Sequence, residues 1–173
     1  MSKESTSNED QQDPFGIKDQ SDDRDPEQGV GWNEFLTELF KPSNIYSKDR
    51  AHLDALPNRY PRLFQEGELT WGFQVSPGWS NLISLLCARV DTILQSTPEA
   101  SMQVKQVKEK FGRLRFYYSI EDAPPSVQDA ILQAVRQAEN ASGMCCEKCG
   151  KRAETTSDRG WLRTLCLRCS AMS

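Results

Sequence analysis

Four cysteines in two C-x-x-C pairs constrain this chain more than any other feature. Cys146-Glu147-Lys148-Cys149, followed at once by Gly150, is answered after sixteen intervening residues by Cys166-Leu167-Arg168-Cys169. A C-x-x-C turn points two sulfurs at one centre, and a hairpin between the turns joins the pairs into the four soft ligands of tetrahedral Zn²⁺. Cys146, Cys149, Cys166 and Cys169 are therefore assigned as zinc ligands, with Zn²⁺ as a structural cofactor. Four thiolates fill the coordination sphere and leave no position for water or substrate, so the metal is a staple and does not disclose an activity. The competing readings are disulfides and buried free thiols. With no apolar secretory segment at the amino terminus and no run long enough to span a bilayer, the chain is expected in the cytoplasm, where thiols stay reduced. Cys145 offers an alternative first ligand through C-x-x-x-C spacing to Cys149. The tight turn with Gly150 just after it suits x-x spacing and favours Cys146. Cys87 lies in an apolar helical pattern and reads as a packed thiol.

The 173 residues bound the answer to one domain with appendages. Residues 1–30 read as a disordered acidic tail, in which Phe15, Ile17 and Val30 are the only large apolar side chains apart from Met1. Nine acidic against three basic residues give this tail −6, and eighteen basic against sixteen acidic give the remainder +2, together the net −4. The folded part is thus not acidic. Residues 31–143 read as an α+β domain and residues 144–173 as a zinc-ribbon module packed on it.

Within 31–143, Trp32, Phe35, Leu36, Leu39 and Phe40 share one helical face, to be buried in the core or docked on a partner. A short helix is expected from Ser47, ended by Leu56-Pro57. Tyr60 to Phe64 reads as an extended, apolar-anchored lead-in. Residues 69–75 alternate Leu69, Trp71, Phe73 and Val75 against small or polar residues, a strand with one buried face. The broad apolar face of residues 79–95 predicts the central helix, and residues 103–110 and 113–120 predict two strands around Phe111-Gly112. A second long helix starts at the Pro124-Pro125 signal and stops at Gly143. The expected architecture is a small antiparallel sheet packed with two main helices, plus the zinc ribbon. In that ribbon Asp158-Arg159-Gly160 reads as a turn, residues 161–165 as the return strand, and Trp161 as an apolar lid.

Trp71-Gly72-Phe73, Gly78-Trp79, the run from Gln106 to Tyr118 containing Val107-Lys108-Glu109-Lys110-Phe111-Gly112-Arg113-Leu114-Arg115-Phe116-Tyr117, and the C-x-x-C-G, Gly160-Trp161-Leu162 and C-x-x-C elements together resemble a family of small uncharacterised bacterial and phage proteins. The resemblance covers about residues 60–169 and implies a bacterial or phage origin and the zinc module, not a reaction. Members often carry a further polar or cysteine residue before the Gly-Trp, where this chain has Ser76-Pro77.

Catalysis needs a nucleophile beside a base, paired carboxylates in a cleft, a phosphate-cradling loop or an open metal site. The sequence has one histidine, His52, and no G-x-x-x-x-G-K-[ST], G-x-S-x-G or H-E-x-x-H pattern. Two basic groupings point instead to binding. From Met144 onward six basic side chains face three acidic ones, but a zinc tetrathiolate adds −2 and leaves about +1. The second lies on the hairpin with Lys105, Lys108, Lys110, Arg113 and Arg115, interleaved with Tyr117. Arg113, Arg115, Lys108, Lys110, Arg159 and Arg163 are the candidate contacts to a partner or to nucleic acid. The reading preferred from sequence is a non-enzymatic, zinc-stabilised protein that acts through a protein partner, as immunity proteins, inhibitors and adaptors do. The alternative is a nucleic-acid-binding regulator using the ribbon and the basic hairpin face.

Overall fold

The computed structural model describes residues 31–42, 50–64, 69, 72–158 and 160–172. The expected tail over residues 1–30, a helix start at Ser47, Trp71 and Arg159 lie outside the described residues.

The architecture is α+β. Helix α1 spans Trp32–Leu39, short helices α2 and α3 span Ala51–Asp54 and Leu56–Arg59, and strand β1 spans Phe73–Gln74. A 3-10 turn at Pro77–Trp79 leads into α4, Ser80–Gln95. Strands β2, Ser101–Lys110, and β3, Arg113–Glu121, precede α5, Pro125–Ser142. The ribbon contributes β4, Glu154–Asp158, β5, Trp161–Leu165, and the single helical turn α6, Leu167–Ser170.

The main sheet has the order β1-β2-β3 and is mixed, not wholly antiparallel as expected from sequence. β2 and β3 form the anticipated antiparallel hairpin, while β1 joins β2 in parallel through Phe73↔Val107 and Gln74↔Lys108. The parallel pairing follows from the chain between them, since α4 returns it to start β2 in the same direction. Leu69, Phe73 and Val75 are buried, as the alternation requires, and among the described residues ladder pairing covers Phe73 and Gln74.

β2 reads ambiguously in sequence because it contains a bulge. The register shifts between Val104 and Gln106, so Lys105 is an extra residue, and both Val104 and Val107 are turned inward despite their odd spacing. The turn after β2 holds Phe111 and Gly112 at φ 55° and 73°, the left-handed pair that a two-residue hairpin needs.

Apolar side chains from α4, the turn before it, α5 and the sheet form one core, with Trp79 of the turn, Leu82, Ile83 and Leu86 of α4, Ile131 and Ala138 of α5, and Val107 and Leu114 fully enclosed. α1 buries Trp32, Phe35 and Leu39 in this core, so its apolar stripe packs internally. Tyr60, Leu63 and Phe64 are buried as anchors, and Phe64 bridges Gln103 of β2. Pro57 corrects one expectation: it sits in the first turn of α3, where a missing N–H costs no helical hydrogen bond. α5 ends as anticipated, but Gly143 stays at φ −69° in the right-handed region. Its role is close approach, because a Cβ there would stand 3.2 Å from the Arg113 guanidinium carbon.

Helix α5 also closes the outer edge of β3. Ser142 Oγ accepts the Leu114 N–H at 2.8 Å, and the Glu139 carboxylate accepts the Phe116 N–H at 2.9 Å. Donors that would otherwise be open to another strand are satisfied within the chain.

Candidate metal centre and docking surface

The first C-x-x-C forms a knuckle. Gly150 N–H donates to the Cys146 carbonyl at 2.8 Å and Cys146 N–H to the Lys151 carbonyl at 2.7 Å, with Gly150 at φ 75°. This places Cys146 and Cys149 on the same side of a reversed backbone. The second pair straddles α6, with Cys166 as the residue before the helical turn and Cys169 within it. Strands β4 and β5 return the second pair to the first, and Sγ atoms of Cys146, Cys149, Cys166 and Cys169 lie within 4.8 Å of one another. The set can hold one metal ion.

Cys145 is turned away. Its sulfur lies 3.4 Å from the Gly150 carbonyl oxygen in a fully buried position, where burial, then the Cys146 and Cys149 sulfurs, push its thiol pKa up. Burial also pushes Cys149 up to about 12. At Cys166 burial acts in the same sense, but the Cys169 backbone N–H and neighbouring sulfurs prevail and hold the thiol down to about 7. Cys87 is enclosed in the core, and burial followed by Asp91 raises its pKa.

The knuckle is built into the domain at three places. Gly78 N–H donates to the Glu147 carbonyl at 2.9 Å, and the Trp79 indole N–H to the Cys145 carbonyl at 2.8 Å. A Cβ on Gly78 would stand 2.4 to 2.6 Å from the backbone of Cys146, Glu147 and Cys149, so only glycine fits. The second place is the β2–β3 hairpin tip. Buried Thr164 of β5 donates its hydroxyl to the Gly112 carbonyl at 2.6 Å, and a Cβ on Gly112 would meet Thr155 at 2.9 Å. The third is Arg152, whose guanidinium lies 4.2 Å from the Phe40 ring at the end of α1.

The candidate binding residues are distributed unevenly. Arg163 donates through Nε and an NH2 nitrogen to Glu147 Oε1 at 3.0 and 2.7 Å, which balances a carboxylate that is almost fully buried inside the knuckle. Arg113 turns back to Asn140 at the end of α5, at 3.1 Å. Arg115 bonds the Leu114 carbonyl at 2.9 Å, and its cross-strand neighbour Lys108 lies 5.1 Å from the Tyr117 ring. Lys110 lies 5.4 Å from the Phe111 ring.

Trp161 is not the lid expected of it. It is 77% exposed, with Phe111 63% and Leu162 43% exposed, because the ribbon is closed by the cysteine cluster, Thr164 and the domain surface rather than by its own aromatic. Phe111, Trp161 and Leu162 border a groove of about 740 Å³ between β1, the hairpin tip and β5, with Arg50 and Lys110 on its walls and Phe73 and Val75 at its base. Arg50 fixes that base by donating to the Phe73 and Val75 carbonyls. A smaller apolar cleft of about 390 Å³ adjoins the sulfurs at Pro77 and Met172. Sequence reasoning missed the knuckle-supporting roles of Gly78, Trp79, Gly112, Glu147 and Thr164. The Gly-Trp pair and the Phe-Gly turn were visible, but their partner lies more than fifty residues away.

No protein-family model, curated protein or solved structure matches this chain. Among the described residues no helix is long and apolar enough to cross a membrane.

Proposed function

We propose that the protein is a non-enzymatic, cytoplasmic binding module in which one structural Zn²⁺, held by Cys146, Cys149, Cys166 and Cys169, stiffens a docking groove for a protein partner. The observation that carries this is the exposure of Phe111, Trp161 and Leu162 around one groove whose walls are pinned to the knuckle. Aromatic anchors on a rigid frame are the usual source of binding energy at protein interfaces. Phe111 adds to the case, since an aromatic residue at φ 55° and 63% exposure contributes little to folding. Zinc suits the site because Zn–S bonds of about 2.3 Å imply sulfurs about 3.8 Å apart in a tetrahedron, and Cys149 and Cys166 Sγ are 3.6 Å apart.

A photo-crosslinking residue placed at position 161, with a control at exposed Glu99, tests the docking face in the native host. A discrete adduct from position 161 that weakens on Phe111→Ala is expected; no adduct, or the same products from both positions, overturns it. Elemental analysis tests the metal. One zinc per chain is expected, retained in Cys145→Ser and lost in Cys146→Ser.

Nucleic-acid binding is supported by a different observation, the cross-strand pairing of Lys108 with Arg115 and Lys110 with Arg113 beside Tyr117. It is the weaker reading, because Arg113 is tied to Asn140 and Arg163 to Glu147. Phosphate contacts would show as a steep fall of DNA or RNA affinity with salt that Arg113→Ala/Arg115→Ala makes shallower.

A further inference from the structure

The four converging sulfurs are not equally protected. Cys146 is fully buried and Cys149 is 7% exposed, whereas Cys166 and Cys169, at the turn that follows β5, are only partly covered. The cleft of about 390 Å³ divides them in the same way. Cys149, Cys166 and Cys169 line it and Cys146 does not, and Lys148, Lys151 and Arg168 belong to the same wall. Three of the four proposed ligands are thus approached from one side. The two other thiols of the chain are kept away from it. Cys87 is enclosed in the core, and the sulfur of buried Cys145 lies against the Gly78 and Gly150 carbonyls.

We propose that this cleft admits a peroxide to the cluster and that Cys149 and Cys166 are its oxidation site, closing a reversible disulfide that releases the metal. Exposure selects Cys166 for the first step. With hydrogen peroxide, its thiolate forms an S–O bond as the O–O bond breaks, and hydroxide leaves; the cationic side chains of the cleft favour that departure. Cys149 Sγ stands 3.6 Å from Cys166 Sγ and attacks the sulfenic sulfur. An S–S bond of about 2.05 Å forms, the S–O bond breaks, and a second hydroxide leaves. Two electrons pass from the sulfur pair to the peroxide, and two protons from solvent turn the hydroxides into water. Cys146 and Cys169 remain as thiolates, too few to hold zinc in its four-coordinate site. The bridge keeps β5, which ends at Leu165 next to Cys166, joined to the knuckle, while α6 loses the anchor that Cys169 supplied.

This rests on the zinc assignment proposed above, and the test separates the two. Full-length protein as purified is titrated with hydrogen peroxide, released zinc is read with a colorimetric chelator against an untreated control, and free thiols are alkylated before tryptic digestion. Cleavage after Lys148, Lys151, Arg163 and Arg168 puts Cys149, Cys166 and Cys169 on separate peptides, with Cys145 and Cys146 together on a fourth. The expected result is one zinc released for every two thiols lost, and a linked Cys149–Cys166 peptide pair that dithiothreitol separates, with Cys87, Cys145, Cys146 and Cys169 alkylated as thiols. Zinc retained with all thiols intact, a bridge between any other pair, or over-oxidised sulfur without a bridge overturns the proposal. Protein that carries no zinc before peroxide is added refutes the metal assignment instead, and the bridge is then judged by the peptide map alone.

Discussion

At position 78 a methyl group would fall 2.4 Å from the Cys146 carbonyl oxygen and 2.6 Å from the Cys149 backbone nitrogen. Both are main-chain atoms of a turn held by its own hydrogen bonds and cannot rotate out of the way. Gly78→Ala should therefore push the knuckle off the domain and cost about 2–3 kcal/mol, read as a lower melting temperature together with faster loss of metal to a chelator. If only the melting temperature falls, the contact supports the fold without supporting the metal site. Tyr118 makes a second prediction from its surroundings. Burial, and after it the Glu139 carboxylate, push its hydroxyl from 10 up to about 12 against the opposing effect of Arg136. The folded chain therefore holds this proton more tightly than the unfolded chain does. Its contribution to stability is fully present below pH 10 and is lost as pH rises toward 12. A tyrosine titrating toward 12 should be seen by ultraviolet absorbance and be absent in Tyr118→Phe, which should also make the loss of stability over that interval shallower. An absorbance titration that is the same in the parent chain and in Tyr118→Phe above pH 10, apart from the loss of one group near 10, would contradict it.

Elements with a strong internal period were legible in the sequence, and those shaped by distant contacts were not. α4 and α5 follow from apolar residues at helical spacing, and β3 from Leu114 and Phe116 alternating with Arg113 and Arg115. The cysteine spacing likewise pointed to the four sulfurs that converge. β2 was less clear because the bulge at Lys105 breaks its period of two. Of the strand expected over residues 69–75, the described ladder is Phe73 and Gln74, and Val75 is buried without belonging to it, because a buried face does not require a ladder partner. Trp161 was misplaced for a related reason: a small ribbon needs cover, but here the cover is the hairpin tip of another part of the chain, contacting Thr164 through Gly112. The edge of β3 is a further feature that no local pattern announces. Ser142 Oγ accepts the Leu114 N–H and donates to the Glu139 carbonyl, so Ser142→Ala should leave a buried donor unmade at a cost of about 1–3 kcal/mol. Hydrogen exchange at the Leu114 amide should speed up by more than at Val107 in the central strand. Equal acceleration at both would mean global destabilisation without a specific edge role.

For the whole molecule, the question is whether metal loss frees a small appendage or loosens the domain. The ribbon's exposed Trp161, Leu162 and Leu167 show that it buries little apolar surface of its own, so the four-cysteine cluster, with the metal proposed for it, and the domain contacts must hold it together. Those contacts run both ways. Trp79 is fully buried and gives its indole hydrogen bond to Cys145, and Gly112 in the hairpin turn accepts from Thr164. A structural zinc contributes on the order of 10 kcal/mol to modules of this kind, comparable to the whole stability of an ordinary domain. Removing the proposed zinc should therefore disturb Trp79 and the start of α4 as well as the ribbon. On this argument, chelation under mild heating should red-shift tryptophan emission even in Trp161→Phe, where the exposed ribbon tryptophan is absent, and should lower the melting temperature of the remaining helical signal. Cys166→Ser should reproduce both effects without a chelator. A metal-free protein in which Trp161→Phe emission and helical melting are unchanged would make the ribbon an independent appendage, and the hydrogen bonds from Gly78, Trp79 and Thr164 would then be too weak to couple it to the core.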